Sequence, residues 1–141
     1  MKIAQLITGK VPITIAADST ILELAAILHN HAIGALVVSN DGRNIEGIVS
    51  ERDVVRAMPE HFSKFSNLHV RDVMTVDVVT ATPDTSIDEL MAIMTGRRIR
   101  HIPIVDGDGL LISIVSIGDI VKSKISELDD ERQSLIGYIN Q

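Results

Sequence analysis

Twice along this chain apolar residues recur at helical spacing, and each time a strand-like apolar run follows. Ile21, Leu24, Ala25 and Leu28 lie at i, i+3, i+4 and i+7, and Ile87, Leu90, Met91 and Met94 repeat the stripe 66 residues later. Both stripes open on a capping-box pattern, Thr20-x-x-Glu23 and Ser86-x-x-Glu89, which supplies acceptors for the free amides of a first helical turn. A short extended segment precedes each helix, Ile13-Thr14-Ile15 and Val79-Thr80-Ala81. Buried-strand runs follow, Ala35-Leu36-Val37-Val38 and Ile102-Pro103-Ile104-Val105. Turn signals then appear in Asn40-Asp41-Gly42 and Asp106-Gly107-Asp108-Gly109, and residues 45–49 and 111–115 read as returning partner strands. Ser50 and Ser116 open a last helix. Each half therefore reads strand, helix, strand, strand, helix.

The two halves align without a gap. Residues 13–58 laid over 79–124 are identical at 13 of 46 positions, and several of the other pairs exchange one aliphatic for another. An internal repeat of this kind predicts two related units facing each other, with clefts between them. Neither unit would bury enough surface alone, so a shared core is expected. The segments leading in, Ile3-Ala4-Gln5-Leu6-Ile7-Thr8 and Val70-Arg71-Asp72-Val73-Met74-Thr75, match at an offset of 67. We divide the chain into a first repeat at 1–62, a linker at 63–69, a second repeat at 70–125 and a terminal amphipathic helix at 126–141. Residues 59–67 read as a connector with a helical turn, carrying both phenylalanines, Phe62 and Phe65. In the terminal segment Ile125, Leu128, Arg132, Leu135 and Ile139 mark one helical face, to be covered by the chain's own core or by a dimer partner.

Composition narrows the class. The chain is 45% hydrophobic but only 2% aromatic, so the core must be aliphatic. No apolar run approaches a membrane span, and the N-terminus lacks the pattern of a secretory signal. With no cysteine there is no disulfide or thiol chemistry, and a cytoplasmic protein is expected. A net charge of −6 argues against a nucleic-acid partner, whose phosphates need clustered Lys and Arg.

Catalytic constellations are thin. No Gly-x-Ser-x-Gly elbow and no His-Glu-x-x-His motif occurs, and His29 and His31, two apart, point to different helix faces and read as solvated rather than metal-ligating. We expect no catalytic residue and no metal. Two other features carry chemistry. Ser50-Glu51-Arg52-Asp53 and Ser116-Ile117-Gly118-Asp119 each follow a strand, where the Ser-x-x-Asp pattern caps a helix and also places amides and a carboxylate beside a crevice. Arg97-Arg98-Ile99-Arg100-His101 concentrates cations before a buried strand. Arg97 and Arg98 read as a solvated helix end, Arg100 and His101 as an anion site. The matching positions of the first half are almost uncharged, so the clefts should be unequal.

These repeats closely resemble the cystathionine β-synthase (CBS) domain family, here as a tandem pair. The carrying residues are Ile33-Gly34-Ala35-Leu36-Val37-Val38 with Gly47-Ile48-Val49-Ser50-Glu51-Arg52-Asp53, and Ile99-Arg100-His101-Ile102-Pro103-Ile104-Val105 with Ile114-Val115-Ser116-Ile117-Gly118-Asp119. The resemblance implies an α+β fold of two β-α-β-β-α repeats about a pseudo-twofold axis, sheets packed against each other and helices outside, plus the C-terminal helix. It also implies an adenine nucleotide (AMP, ADP or ATP) or S-adenosylmethionine as regulatory ligand, with no cofactor required. Carried over, one cleft would use Ser116 and Asp119 with Arg100 and His101 on the anion, Gly34 and Ala35 from across the axis, Arg52 over the phosphates, and Thr14 and Ile15 near adenine. The other would use Ser50 and Asp53 with Thr80 and Thr82. The reading is a free-standing regulatory module, homodimeric or signalling to an effector protein; the alternative is a ligand-free interaction module of the same fold. Two departures from the family pattern stand out: Ser113 where the first repeat has Gly47, and Gly34-Ala35 in place of a polar or basic pair.

Overall fold

The structure is a computed structural model and describes residues 1–9 and 11–141. In chain order the elements are α1 (Ile3–Leu6), β1 (Thr14–Ile15), α2 (Ile21–His31), β2 (Ala35–Val38), β3 (Gly47–Ser50), α3 (Glu51–His61), a 3-10 helix (Phe62–Asn67), α4 (Val70–Val73), α5 (Ile87–Arg97), β4 (His101–Val105), β5 (Leu111–Ser116) and α6 (Ile117–Ile139). In the first sheet β1 pairs parallel with β2, and β2 antiparallel with β3; in the second, β4 pairs antiparallel with β5. The parallel pair needs a crossover and α2 supplies it, while the antiparallel pairs close through short turns. Asp41 organises the first turn by accepting from the Arg43 and Asn44 amides, and Asp106 the second by accepting from those of Asp108 and Leu110. The segment Val79-Thr80-Ala81 does not form the expected strand: Ala81 makes a single parallel bridge to Ile104. The first returning strand begins at Gly47 rather than at residue 45.

The helical stripes face inward as the spacing requires. Ile21, Leu24 and Leu28 enter one aliphatic core, and Ile87, Leu90 and Met94 enter another. Thr20 and Glu23 complete both halves of a capping box. Ser86 makes only the forward bond, accepting from the Glu89 amide. Both helices end in a left-handed residue, Ala32 (φ 52°) and Arg98 (φ 55°), one repeat apart.

Each lead-in segment is built into the other repeat. Ile3 of α1 is fully buried in the second core, where Ile3 and Ala4 donate to the Thr85 and Pro83 carbonyls. Val70 of α4 is fully buried in the first core, and the Val70 and Arg71 amides bond Ser19 and Ala17. The Arg71–Asp18 ion pair adds to that seam. Exchange of lead-ins gives each repeat a hydrophobic plug it cannot supply itself, and ties two marginal units into one structure.

At the end of the first repeat the backbone stays helical through Pro59 to His61 and then tightens into the 3-10 helix, with Phe65 against the first core and Phe62 exposed. The terminal segment expected to fold as a separate helix is the second half of α6. No Gly or Pro interrupts it between Ile120 and Ile136, so the helix that opens at Ser116 continues past the edge of its core. Ile125, Leu128, Leu135 and Ile139 consequently face away from the chain's own core. Among the described residues no helix is long and apolar enough to cross a membrane.

Candidate functional site

Both repeats end on the same local device. The Glu51 amide donates to the Gly34 carbonyl (3.0 Å) and the Ile117 amide to that of Arg100 (2.8 Å), which straps the start of each last helix to the start of a strand. Asp53 Oδ2 accepts from the Ser50 amide (2.8 Å) and hydroxyl (3.2 Å); Asp119 Oδ2 does the same for Ser116 (3.0 and 2.9 Å). A carboxylate in the first helical turn is stabilised there by the helix dipole. Capping thus engages one oxygen of each aspartate on the helix side.

Beside the first of these caps lies a cleft of about 590 Å³ that draws on both repeats. One wall is the start of β2 (Gly34, Ala35), the end of β3 and the first turns of α3, with Ser50, Glu51, Arg52, Asp53 and Arg56. Opposite stands the run Arg98-Ile99-Arg100-His101 entering β4, and Thr75, Asp77, Val78 and Val79 close the side. The cleft thus brings Arg100 and His101 to Ser50 and Asp53 as well, while His101 stays paired with Ser116 across β4 and β5 and close to Asp119, the neighbours the sequence reading gave it. The cause is the facing of the repeats, which sets the mouth of β4 across from the cap of α3. Thr14, Ile15, Thr80 and Thr82 lie outside this lining, as do Ser116 and Asp119. Arg100 is exposed rather than buried.

His101 sits at the seam between the two caps. Burial pushes its imidazole below the ordinary histidine range; the Asp119 and Glu51 carboxylates oppose that shift and the Arg100 guanidinium adds to it. Gly34 makes room for the ring. A Cβ there would stand 3.2 Å from Glu51 Oε1 and 3.3 Å from His101 Cε1. The glycine that departs from the family pattern therefore serves the histidine of the opposite repeat.

Gly47 answers a different demand. Ile48 and Thr75 exchange amide–carbonyl bonds of 2.9 Å, so the second lead-in is joined to β3 by a single antiparallel bridge. A Cβ at Gly47 would fall 2.8 Å from the Thr75 carbonyl oxygen and 2.8 Å from Met74 Sδ. Only glycine admits that approach. Among the described residues no corresponding bridge joins Thr8 to Ile114, and Ser113 occupies the equivalent position with its side chain buried.

Sequence reasoning set Arg98 aside as a solvated helix end, and it did not single out Arg56, Asp77 or Val78. For Arg98 the structure supplies what the sequence does not. The residue occupies the left-handed position after α5, where glycine is the usual residue, and a side chain there costs about 1 kcal/mol. Ala32 takes the same conformation one repeat earlier, so the turn belongs to the helix end, and Arg98 adds to it a cation that lines the cleft.

Comparison with known proteins identifies the family. The sequence profile of the CBS domain matches residues 4–60 and 70–126. The chain therefore belongs to the CBS domain family and carries two copies of that domain. Among relatives, the CBS domain-containing protein CBSX3, mitochondrial, of Arabidopsis thaliana is 36% identical over 126 residues, or 86% of this chain. The chain spans 61% of that protein's length. The crystal structure of the CBS-domain containing protein ATU1752 from Agrobacterium tumefaciens matches with a TM-score of 0.81 at 39% identity, over 87% of this chain and 92% of that one. The CBS domain pair of protein MJ0100, solved in complex with 5′-methylthioadenosine and S-adenosyl-L-methionine, matches with a TM-score of 0.76 at 27% identity, over 86% and 98%.

Proposed function

We propose that this CBS pair is a regulatory module that binds a phosphorylated adenosyl ligand in the cleft between Ser50–Arg56 and Arg98–His101. The observation that carries this reading is the convergence of Arg52, Arg56, Arg98, Arg100 and His101 on one cleft of an otherwise acidic chain. The lining acids are Glu51, Asp53 and Asp77, and Asp53 Oδ2 is occupied by the cap. Guanidinium groups bond phosphate oxygens in bidentate fashion. The sulfonium of S-adenosylmethionine would meet the same charges with the wrong sign, so AMP, ADP or ATP suits this cleft better. Asp53 would hold the ribose hydroxyls on the oxygen its cap leaves over. The hydrophobic side formed by Ile48, Val78 and Val79 would take the adenine. The cap at Ser116 and Asp119 would serve the counterpart position, without an arginine wall. Occupancy would be transmitted through dimer or effector contacts, and a ligand does so only if it prefers one conformer. The resemblance of MJ0100's domain pair, with its adenosyl ligands, supports the ligand class.

Isothermal titration of nucleotide-stripped protein with AMP, ADP, ATP, S-adenosylmethionine and NADH tests the proposal. A phosphorylated nucleotide should bind more tightly than S-adenosylmethionine, and Asp53→Ala, Arg98→Gly and Arg100→Ala should each weaken it at least about tenfold, or 1.4 kcal/mol. If Asp119→Ala weakens binding while Asp53→Ala does not, the ligand sits at the other cap. No binding near millimolar concentration would leave the alternative, an interaction module with empty clefts.

A further inference from the structure

His101 takes part in the surroundings of both caps. It lines the first cleft together with Ser50, Glu51 and Asp53. Its backbone belongs to β4 and lies in register with Ser116, whose amide (3.0 Å) and hydroxyl (2.9 Å) hold Asp119 Oδ2. The Ile117 amide, bonded to the Arg100 carbonyl at 2.8 Å, fixes the start of α6 against the strand that carries the ring. Over Gly34 the ring comes up to α3. A Cβ on that glycine would lie 3.3 Å from His101 Cε1, 3.5 Å from Nε2 and 3.2 Å from Glu51 Oε1. One imidazole therefore stands between the carboxylate of the second cap and the wall of the first cleft.

We propose that Asp119 is a positioning residue for the first cleft: acting through His101, the carboxylate of the second cap strengthens anion binding beside the cap to which it does not belong. The groups around the ring set the sign. Burial favours a neutral imidazole, and Arg100 just before the strand works in the same direction. Asp119 from α6 and Glu51 from α3 pull the other way, Asp119 the more strongly. Arg52, Asp53 and Arg56 on α3, Arg98 before the strand and Asp77 after the second lead-in line the same cleft. An anion entering beside the ring adds to the pull of the two carboxylates. The ring then takes up a proton, and its charge joins those of the four arginines. The link runs one way. Ala35 lies opposite Ser50 as His101 lies opposite Ser116, and an alanine methyl carries no charge from the first cap to its counterpart. This inference rests on the proposed function only in placing an anion in the first cleft.

Magnetic resonance titration of the His101 ring between pH 5 and pH 8, assigned with His101→Gln, is the first test and needs no nucleotide. Asp119→Asn keeps an oxygen for the Ser116 amide and removes the charge. It should lower the midpoint of the ring by about half a pH unit, with native circular dichroism. Sulfate, a dianion that holds no proton in this range, should raise the wild-type midpoint at constant ionic strength. Titration calorimetry with ADP follows. Asp119→Asn should weaken ADP about two- to threefold at pH 6 and much less at pH 8, the size that a half-unit displacement of the proton-linked curve produces. In the His101→Gln background the difference should vanish. A loss equal at both pH values would make Asp119 a simple cap or a direct ligand and overturn the proposal. So would a midpoint indifferent to Asp119→Asn or to sulfate, or a difference that survives without His101. If ADP fails to bind while sulfate still raises the midpoint, the adenosyl reading falls and this one stands on the sulfate affinity, which Asp119→Asn should likewise lower at pH 6.

Discussion

At the entrance to its last helix each repeat shows the same backbone and a different set of side chains. Gly34 and Arg100 offer their carbonyls to Glu51 and Ile117, and the Ser50–Asp53 and Ser116–Asp119 caps agree to within a few tenths of an ångström. Around the first cap stand Arg52, Arg56, Arg98, Arg100 and His101. The positions one repeat away hold Gly118, Lys122, Ala32, Gly34 and Ala35, a single cation. The second lead-in is bridged to β3 at Ile48 and Thr75, whereas Ser113 fills the place that such an approach needs in β5. Duplicated architecture has thus been kept at the caps and changed in the residues that surround them. The difference teaches that a shared cap is a structural requirement, and that the charges around it decide which cap can become a binding site.

The largest way to break the comparison is through the exchanged lead-ins. Ile3→Ala should cost about 3 kcal/mol, because Ile3 is fully buried and its removal leaves a cavity in the second core. Urea denaturation measures the loss. Native-state hydrogen exchange should show protection falling first in residues 87–120, far from the mutation in sequence and adjacent to it in space. Loss confined to residues 13–38 would contradict the exchange.

Next comes the glycine that one repeat needs and the other lacks. Gly47→Ala should destabilise by about 2 kcal/mol, since its Cβ meets a backbone carbonyl that cannot move without releasing the Ile48–Thr75 bonds. Ser113→Gly should cost no more than about 1 kcal/mol, mostly chain entropy. Equal losses in the two denaturation curves would mean that the lead-in does not wall the cleft in the way described.

The smallest effect sharpens the electrostatic half of the comparison. His101 has a folded-state pKa below its ordinary value of 6.5, so the apo protein loses stability as pH falls through that value, when the unfolded chain takes up the proton first. A phosphate beside the ring favours the imidazolium and draws the pKa back up. Nucleotide affinity should therefore strengthen several-fold between pH 8 and pH 6, and His101→Gln should remove most of that slope. An affinity flat in pH in the wild type would place the phosphate away from His101.

Much of this was legible before any coordinates. The stripes of α2 and α5, the caps at Thr20, Ser50 and Ser116 and the turns at Asp41 and Asp106 depend on neighbours within four residues, and local spacing reveals them. Arg98 is an exposed helix end, as its sequence reads; that it also lines the cleft, from a left-handed backbone, shows only in three dimensions. Splitting α6 at residue 126 came from ending a helix where the repeat ended, although nothing in the residues there stops helical hydrogen bonding.

The sequence by itself determined the elements, the duplication and the inequality of its two halves, because these follow from side-chain periodicity and from charge counted at matched positions. Only the tertiary structure decided which cap faces which arginines, that the lead-ins cross between repeats, and that α6 leaves its own core. Those are choices among partners of equal local quality. They are settled by how two plugged cores fit around one axis, a property of the assembled chain that no window of residues contains.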